Sequence, residues 1–106
     1  MEQHKELASG KWHKMTISEQ LGNTGSEYER AIKWQHDENV DRFNLAFRRF
    51  LELLDLTIND PRWSVFRKKE LLRVREVCCG VFLNKLDSRG LDKYFYKFAL
   101  LARNTK

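Results

Sequence analysis

One segment, residues 43–58 (FNLAFRRFLELLDLTI), constrains the fold more than any other part of the chain. When successive residues are placed about 100° apart around a helix, its apolar side chains fill an arc roughly 160° wide. That arc is broader than the roughly 100° stripe of an ordinary surface helix, so the segment predicts a central helix with two or three packed neighbours. The arc is centred on Phe43, Phe47, Phe50 and Leu54, with Ala46, Leu53 and Thr57 on one flank and Leu51 and Ile58 on the other.

Composition favours helix over strand along the rest of the chain. The 106 residues are 42% hydrophobic and 33% charged, with one proline and five glycines. These values are typical of one globular domain, and abundant Leu, Arg, Lys and Glu favour helix. We predict an all-α fold, an antiparallel up-down-up-down four-helix bundle (residues 16–106) preceded by a short N-terminal arm (residues 1–15).

Local capping signals divide the bundle into its helices. Asp60 as an N-cap followed by Pro61 in the first helical position predicts the start of the third helix, although a start near Arg67 also fits the pattern. The other signals are a Thr16–Glu19 capping box for the first helix, Glu38 or Asn39 at the start of the second, and Asp87 or Ser88 at the start of the fourth.

Two glycines and one tryptophan leave alternatives open. Gly22 and Gly25 fall inside the first helix, where each costs about 1 kcal/mol relative to alanine. Either a neighbouring helix approaches closely at Gly25, or the helix breaks at residues 22–25. That tetrapeptide, GNTG, also fits the G-x-x-G loop of KH domains, which additionally require strands. Trp12 either docks on the bundle or stacks on a base or a partner.

Charge and cysteine usage bear on partners and compartment. The net charge is +5 and the isoelectric point about 9.4, a balance that favours polyanionic partners. No apolar run approaches the roughly 20 residues of a membrane span, and the first residues lack the apolar core of a signal peptide. Cys78 and Cys79 are adjacent and cannot easily bridge each other. We therefore expect a cytoplasmic protein.

Basic residues crowd the predicted start of the third helix, with Glu70 the one acidic residue among them. Trp63 and Phe66 are interleaved with these cations, so they either stack on bases or pack in the core. Arginine and lysine in such a cluster suit phosphate contact; the alternative is a solvated helix start with local ion pairs. The candidate nucleic-acid contacts are Arg62, Arg67, Lys68, Lys69, Arg73 and Arg75.

Two predicted helices also carry a second apolar row on the side away from the core. On the second helix this row is Leu45 and Leu56, which are about three turns apart. On the third helix it is Leu72, Cys79 and Leu83. Both rows are candidate interface positions, for a second subunit or another protein. The alternatives are cover by the N-terminal arm and ordinary exposed leucines.

No cofactor or metal is expected from the residue pattern. The three histidines are far apart in the sequence, and Cys78-Cys79 lacks the C-x-x-C spacing of zinc sites. Arg30 and His36, in RAIKWQH, resemble the Arg-x-x-x-x-His element of HEPN ribonucleases, with one residue more between them. On a continuous helix that spacing points the two side chains about 120° apart, against a shared site.

Several stretches together resemble a family of small prokaryotic helical proteins: LASGKWHKM, EQLGNTGSEYERAIKW, LELLDLTINDPRW, LLRVREV and KYFYKFALLAR. The resemblance spans most of the chain and implies no activity. At the level of class alone, a small basic four-helix protein also resembles accessory subunits of prokaryotic nucleoprotein machines such as diversity-generating retroelements, without a shared motif.

Three functions follow as expectations. The first is a non-enzymatic accessory or adaptor subunit that contacts RNA or DNA and is oligomeric. The second is a protein–protein adaptor or oligomeric scaffold without nucleic-acid binding. The third is a HEPN-like ribonuclease.

Overall fold

The computed structural model describes residues 10–83 and 90–104, and within these ranges the chain is helical and contains no strand. The predicted all-α class is confirmed. The predicted turn at residues 84–90 and its caps lie outside the described residues, apart from Gly90. The elements are a short 3-10 helix at Trp12–Lys14, α1 at Ile17–His36, α2 at Val40–Ile58, α3 at Val65–Phe82 and α4 at Leu91–Asn104.

Side-chain contacts show that consecutive helices run antiparallel. Phe43 near the start of α2 packs on Phe82 at the end of α3, with ring centroids 5.6 Å apart. Lys68 near the start of α3 donates to the carbonyl of Ile58 at the end of α2.

Tyr94 early in α4 contacts Glu70 of α3. Phe98, one turn later, contacts Arg67, so α4 also runs antiparallel to α3. A short turn joins α1 to α2, which pack closely, so the architecture is the predicted four-helix bundle.

One aromatic side chain from each helix meets at the centre of the bundle. Tyr28, Phe50, Phe82 and Phe95 come from α1 to α4 in order, and all four are buried. The ring of Tyr28 lies 6.0, 5.6 and 5.4 Å from those of Phe50, Phe82 and Phe95 respectively. Because each helix supplies one ring, the cluster joins all four helices. Each aromatic pair in it contributes about 0.5–1.5 kcal/mol beyond the buried area.

The first helix is continuous through its glycines, as the close-approach alternative predicted. The capping box is present: Thr16 Oγ1 accepts from the Glu19 amide, and Glu19 Oε1 accepts from the Thr16 amide. A β-carbon on Gly22 would lie 3.2 Å from the Cα of Ala99 on α4. Residues 22–25 are therefore helical, and the KH-type loop is wrong.

Of the two predicted starts of the third helix, the one at Asp60 and Pro61 is wrong, and the one near Arg67 lies about two residues from the observed start. Asp60 is not an N-cap; α3 begins at Val65, and Ser64 caps it by accepting from the Arg67 amide.

Asp60 is instead fully buried, with both carboxylate oxygens engaged by other partners. Arg62, two residues further on, supplies most of these donors, and Gln20 of α1 supplies another. Residues 60–63 therefore form a turn, which a local capping rule does not anticipate.

The lengths and packing of the helices complete the description of the fold. In residues 10–83 and 90–104, no helix combines the length and apolarity needed to cross a membrane. Within that same part of the chain, α1 packs closely along both α2 and α4, while α3 meets α2 over a shorter stretch. The apolar arc of α2 faces the core as predicted, with Phe50 and Leu54 buried and Phe43 and Phe47 partly buried against it. However, α1 is the helix with two closely packed neighbours.

Candidate functional site

The described part of the N-terminal arm, residues 10–15, docks through Trp12. Its ring is 1% exposed, and its Nε1 donates to Thr57 Oγ1 of α2 at 2.9 Å. Its carbonyl accepts from Gln20 Nε2 of α1 at 3.0 Å. A buried tryptophan with both polar groups bonded is part of the core. The alternative of stacking on a base or a partner does not hold for this residue.

Trp12 is connected through Gln20 to a polar network around buried Asp60. Arg62, one of the predicted phosphate contacts, belongs to this network. Asp60 accepts from Gln20 Nε2 at 2.9 Å and from Arg62 Nη2 at 2.6 Å. These hydrogen bonds, those from Arg62 foremost, hold the pKa of Asp60 well below its usual range. Arg62 also donates to the carbonyl of Met15, and Trp63 Nε1 donates to Gln20 Oε1 at 2.9 Å. Arg62 thus joins the arm to the bundle.

Two more of the predicted contacts have partners within the chain. Arg67 Nη1 lies 3.2 Å from Glu70 Oε1, and both side chains are partly exposed. Lys68 Nζ donates to the carbonyl of Ile58 at 2.7 Å and so satisfies a carbonyl at the end of α2. Exposed ion pairs add little stability, but they cancel part of the local positive field.

Of the remaining three predicted contacts, one has an ion-pair partner and two face solvent. Arg75 Nε pairs with Asp55 Oδ1 of α2 at 2.9 Å. Lys69 and Arg73 are exposed and make no ion pair with any described residue. The structure therefore does not present six free cations together: it leaves Lys69 and Arg73 facing solvent and holds the other four in internal contacts.

Trp63 and Phe66, the two aromatic residues interleaved with the predicted cations, lie in different environments. Trp63 is half-buried, hydrogen-bonded to Gln20, and covered by the guanidinium of Arg62 at 4.4 Å from its ring centroid. Phe66 is 83% exposed, so the core-packing alternative fails for it. Phe66 lies about two turns before Arg73 on nearly the same azimuth of α3, so its exposed ring is available to a partner beside that cation.

A continuous surface feature is the face of α3 that points away from the core. Val65, Leu72 and Leu83 on it are 65%, 51% and 64% exposed, and Cys79 is half-buried. Successive members lie four or three residues apart in alternation, the spacing of a helix–helix seam. We call this set the α3 outer face: Val65, Lys69, Leu72, Glu76, Cys79 and Leu83.

A shallow depression lies along this face and is bounded by charge. Its lining includes Leu72 with Lys69, Arg73, Arg75 and Glu76 around it. An apolar centre with a charged margin is typical of protein interfaces. The sequence pattern identified the leucines and Cys79 on this helix, but missed Val65, Lys69 and Glu76 as members of the same row.

The second predicted apolar row, on α2, does not form a comparable surface. Leu45 is 42% exposed, whereas Leu56 is half-buried. His13 Nε2 of the arm lies 3.1 Å from the carbonyl oxygen of Leu56. This end of the row therefore lies beside the arm, in line with the arm-cover alternative.

The structure does not bring Arg30 and His36 together as a ribonuclease pair. Both lie on the continuous α1, where six residues rotate the side chains about 120° apart. Arg30 Nη1 instead pairs with Glu27 Oε1 at 2.7 Å. In the part of the chain that the structure describes, no three His, Cys, Asp or Glu side chains gather in a way that could hold a metal ion.

The fold and this surface together define a small all-α four-helix bundle with a docked N-terminal arm and one exposed, mixed apolar and charged helix face. Comparisons with protein-family models, with curated proteins and with solved structures found no match to this chain. The α3 outer face is therefore the feature of the molecule on which we base a proposed function.

Proposed function

We propose that this protein is a non-enzymatic protein–protein interaction module, an adaptor or structural subunit, that docks its partner on the α3 outer face. The observation that carries the proposal is the row of exposed apolar side chains along one helix: Val65, Leu72 and Leu83 are each more than half exposed. Single exposed apolar residues are common, but a row on one face is typical of an interaction site.

The charged residues of the face support docking rather than catalysis. Lys69, Arg73 and Glu76 surround Leu72, so a partner would bury an apolar centre inside a polar rim. Association through such a rim depends on complementary charge, which sets orientation and rate more than affinity.

Among the described residues, the ionisable groups with strongly shifted pKa values lie off the α3 outer face: they are Tyr28, Asp60, Cys78 and Tyr94. Burial raises the pKa of Tyr94, whose hydroxyl donates to Glu70 Oε1 at 2.6 Å. Burial likewise raises the pKa of Cys78 to about 12. Asp60 is held by Arg62 and Gln20. Perturbed groups often mark catalytic sites, but these four, including Tyr28 in the ring cluster, take part in packing or in internal hydrogen bonds, which supports the non-enzymatic assignment.

Site-specific photocrosslinking in the organism that encodes the protein tests this proposal. A benzophenone amino acid is placed at Leu72, at the centre of the face, and in a matched variant at Arg48, exposed on α2. We expect a discrete protein adduct from position 72 and none from position 48. Adducts at neither position, or equal adducts at both, would contradict docking on α3.

Exposed Phe66 favours a second candidate function, binding of single-stranded nucleic acid. Phe66, Lys69 and Arg73 occupy neighbouring azimuths on α3, where an exposed ring stacks on a base and two cations contact phosphates. This candidate keeps two of the six predicted cations and adds the exposed aromatic ring.

Fluorescence anisotropy with a labelled single-stranded oligonucleotide tests the second candidate. We expect binding at low salt that weakens steeply as salt rises, because phosphate contacts release counterions. The double variant Lys69→Glu/Arg73→Glu should abolish it. Lys93→Glu/Arg103→Glu is the matched control, since it makes the same charge change at exposed positions on α4. Equal loss in both variants would indicate a net-charge effect and contradict a site on α3.

A further inference from the structure

We propose that the partner of the α3 outer face is the same face of a second copy of this chain, packed antiparallel about a twofold axis beside Leu72. This inference rests on the proposed function and names the partner. A twofold interface requires a self-complementary surface: where residue i of one copy meets residue j of the other, residue j also meets residue i, and residues at the axis meet their own copies. The α3 outer face has that property in both charge and shape.

Charge supplies the first argument. Lys69 and Glu76 are seven residues apart, about two turns, so they lie on the same face on either side of Leu72. Neither makes an ion pair with any residue in the described ranges. In an antiparallel pair, Lys69 faces Glu76 of the second copy, and Glu76 faces Lys69 of the second copy. Two intermolecular ion pairs then flank the leucine contact.

The same charges exclude the parallel arrangement. A parallel, in-register pair of α3 helices would place Lys69 against Lys69 and Glu76 against Glu76. Like charges facing each other across an interface are unfavourable and select against that orientation. The order of charges along the face therefore specifies the direction of pairing.

Side-chain size supplies the second argument. An axis between positions 72 and 73 brings both copies of Leu72 beside it. Val65 then falls opposite Gly80, which has no side chain to obstruct it. Leu83 falls about 4.5 Å along the axis from Val65 of the second copy, within reach of an apolar contact. Val65, Leu72 and Leu83 are thus covered by the pairing that also satisfies the charges.

The size of the face sets the expected affinity. Six residues of one helix form a small interface compared with those of permanent dimers, which bury more than roughly 2,000 Å². We therefore expect a reversible dimer with a dissociation constant in the micromolar range. The protein is a monomer when dilute and a dimer when concentrated.

Sedimentation equilibrium of the full chain from about 1 μM to about 1 mM tests association. Lys69→Glu and Glu76→Lys alone should each weaken the dimer about tenfold or more, because each creates like-charge contacts. The double variant Lys69→Glu/Glu76→Lys should restore it, because the exchanged charges are again complementary. Lys93→Glu on α4 is the control and should leave association unchanged.

Cysteine crosslinking tests direction, in a Cys79→Ser background that removes the half-buried thiol on this face. Leu72→Cys should form a disulfide with itself, because position 72 lies beside the axis. Lys69→Cys should not, because its two copies lie about 10 Å apart along the axis, beyond the roughly 7 Å limit for a bridge. A mixture of Lys69→Cys and Glu76→Cys should crosslink between unlike chains.

The possible failures separate the two proposals. A chain that stays monomeric throughout, or that crosslinks through Lys69→Cys alone, overturns the antiparallel dimer. If position 72 still gives a photoadduct with a different protein or with nucleic acid, the self-pairing inference fails and the adduct identifies the class of partner. If position 72 gives no adduct and the chain is monomeric, docking on α3 fails with it.

Discussion

Gly25 of α1 lies so close to Phe95 of α4 that a β-carbon on Gly25 would sit 2.5 Å from the β-carbon of Phe95. Carbon atoms of this kind do not approach so closely, and the β-carbon of Phe95 cannot move without its backbone. Phe95 also packs in the ring cluster with Tyr28 and Phe50. The glycine therefore determines how closely α4 approaches α1.

The first prediction follows from this contact. Gly25→Ala should destabilise the protein by about 1–3 kcal/mol, because separating α1 from α4 costs more than the roughly 1 kcal/mol that alanine gains in helix propensity. Urea unfolding followed by circular dichroism measures the change. Ser26→Ala, exposed on the next position of α1, is the control and should change stability little. A Gly25→Ala protein more stable than the wild type would show that α4 shifts freely.

The second prediction concerns the hydrogen bond between Trp12 and Thr57, residues 45 positions apart in sequence. Thr57→Val keeps the shape but leaves the buried indole N–H without an acceptor, at a cost of about 1–3 kcal/mol. Trp12→Phe removes the donor and part of the buried ring. The double variant should cost less than the sum of the singles, because it leaves no orphaned donor. Additive losses in urea unfolding would contradict a direct bond.

The third prediction concerns pH. The hydrogen bonds to Asp60 lower its pKa in the folded state, so its contribution to stability is fully present above the unfolded value of about 3.9. That contribution is lost as pH falls toward the lower folded-state pKa. At pH 7, Asp60→Asn should cost about 2 kcal/mol, since it weakens charged hydrogen bonds from Arg62.

The pH dependence is measured as the difference in unfolding free energy between wild type and Asp60→Asn. The difference should be constant from about pH 7 to pH 5 and should shrink below about pH 4, because protonation neutralises the wild-type carboxylate. Asp41→Asn, at an exposed position in the first turn of α2, is the control. A difference that stays constant down to pH 2 would mean that Asp60 carries no charge-dependent stability.

The fourth prediction distinguishes the two adjacent cysteines. Cys78 is fully buried, and burial raises its pKa to about 12, while Cys79 is half-buried. Because the thiolate is the reactive form, iodoacetamide at pH 7.5 should modify Cys79 and leave Cys78 intact in the folded protein. Both should react in denaturant. Peptide mass spectrometry gives the sites; equal reaction of the two thiols in the folded state would contradict the burial of Cys78.

The sequence of one helix does not show which of its surface cations have partners on neighbouring helices. The sequence places six cations near the start of the third helix, but two of them have partners at α2: Asp55 for Arg75, and the Ile58 carbonyl for Lys68. Azimuth along one helix does not show which face of a neighbour lies opposite. The exposed cations, Lys69 and Arg73, are distinguished only once the helices are assembled.

By itself the sequence determined the helical class, the capping box at Thr16 and the apolar arc of α2, because these depend on residue type and on spacing within one helix. Only the tertiary structure decided that Asp60 is a buried acceptor rather than a helix cap, and that Trp12 is core. Each depends on donors and acceptors from distant parts of the chain, such as Gln20 and Thr57. Such partners are brought together by packing, which the local pattern of residues does not encode.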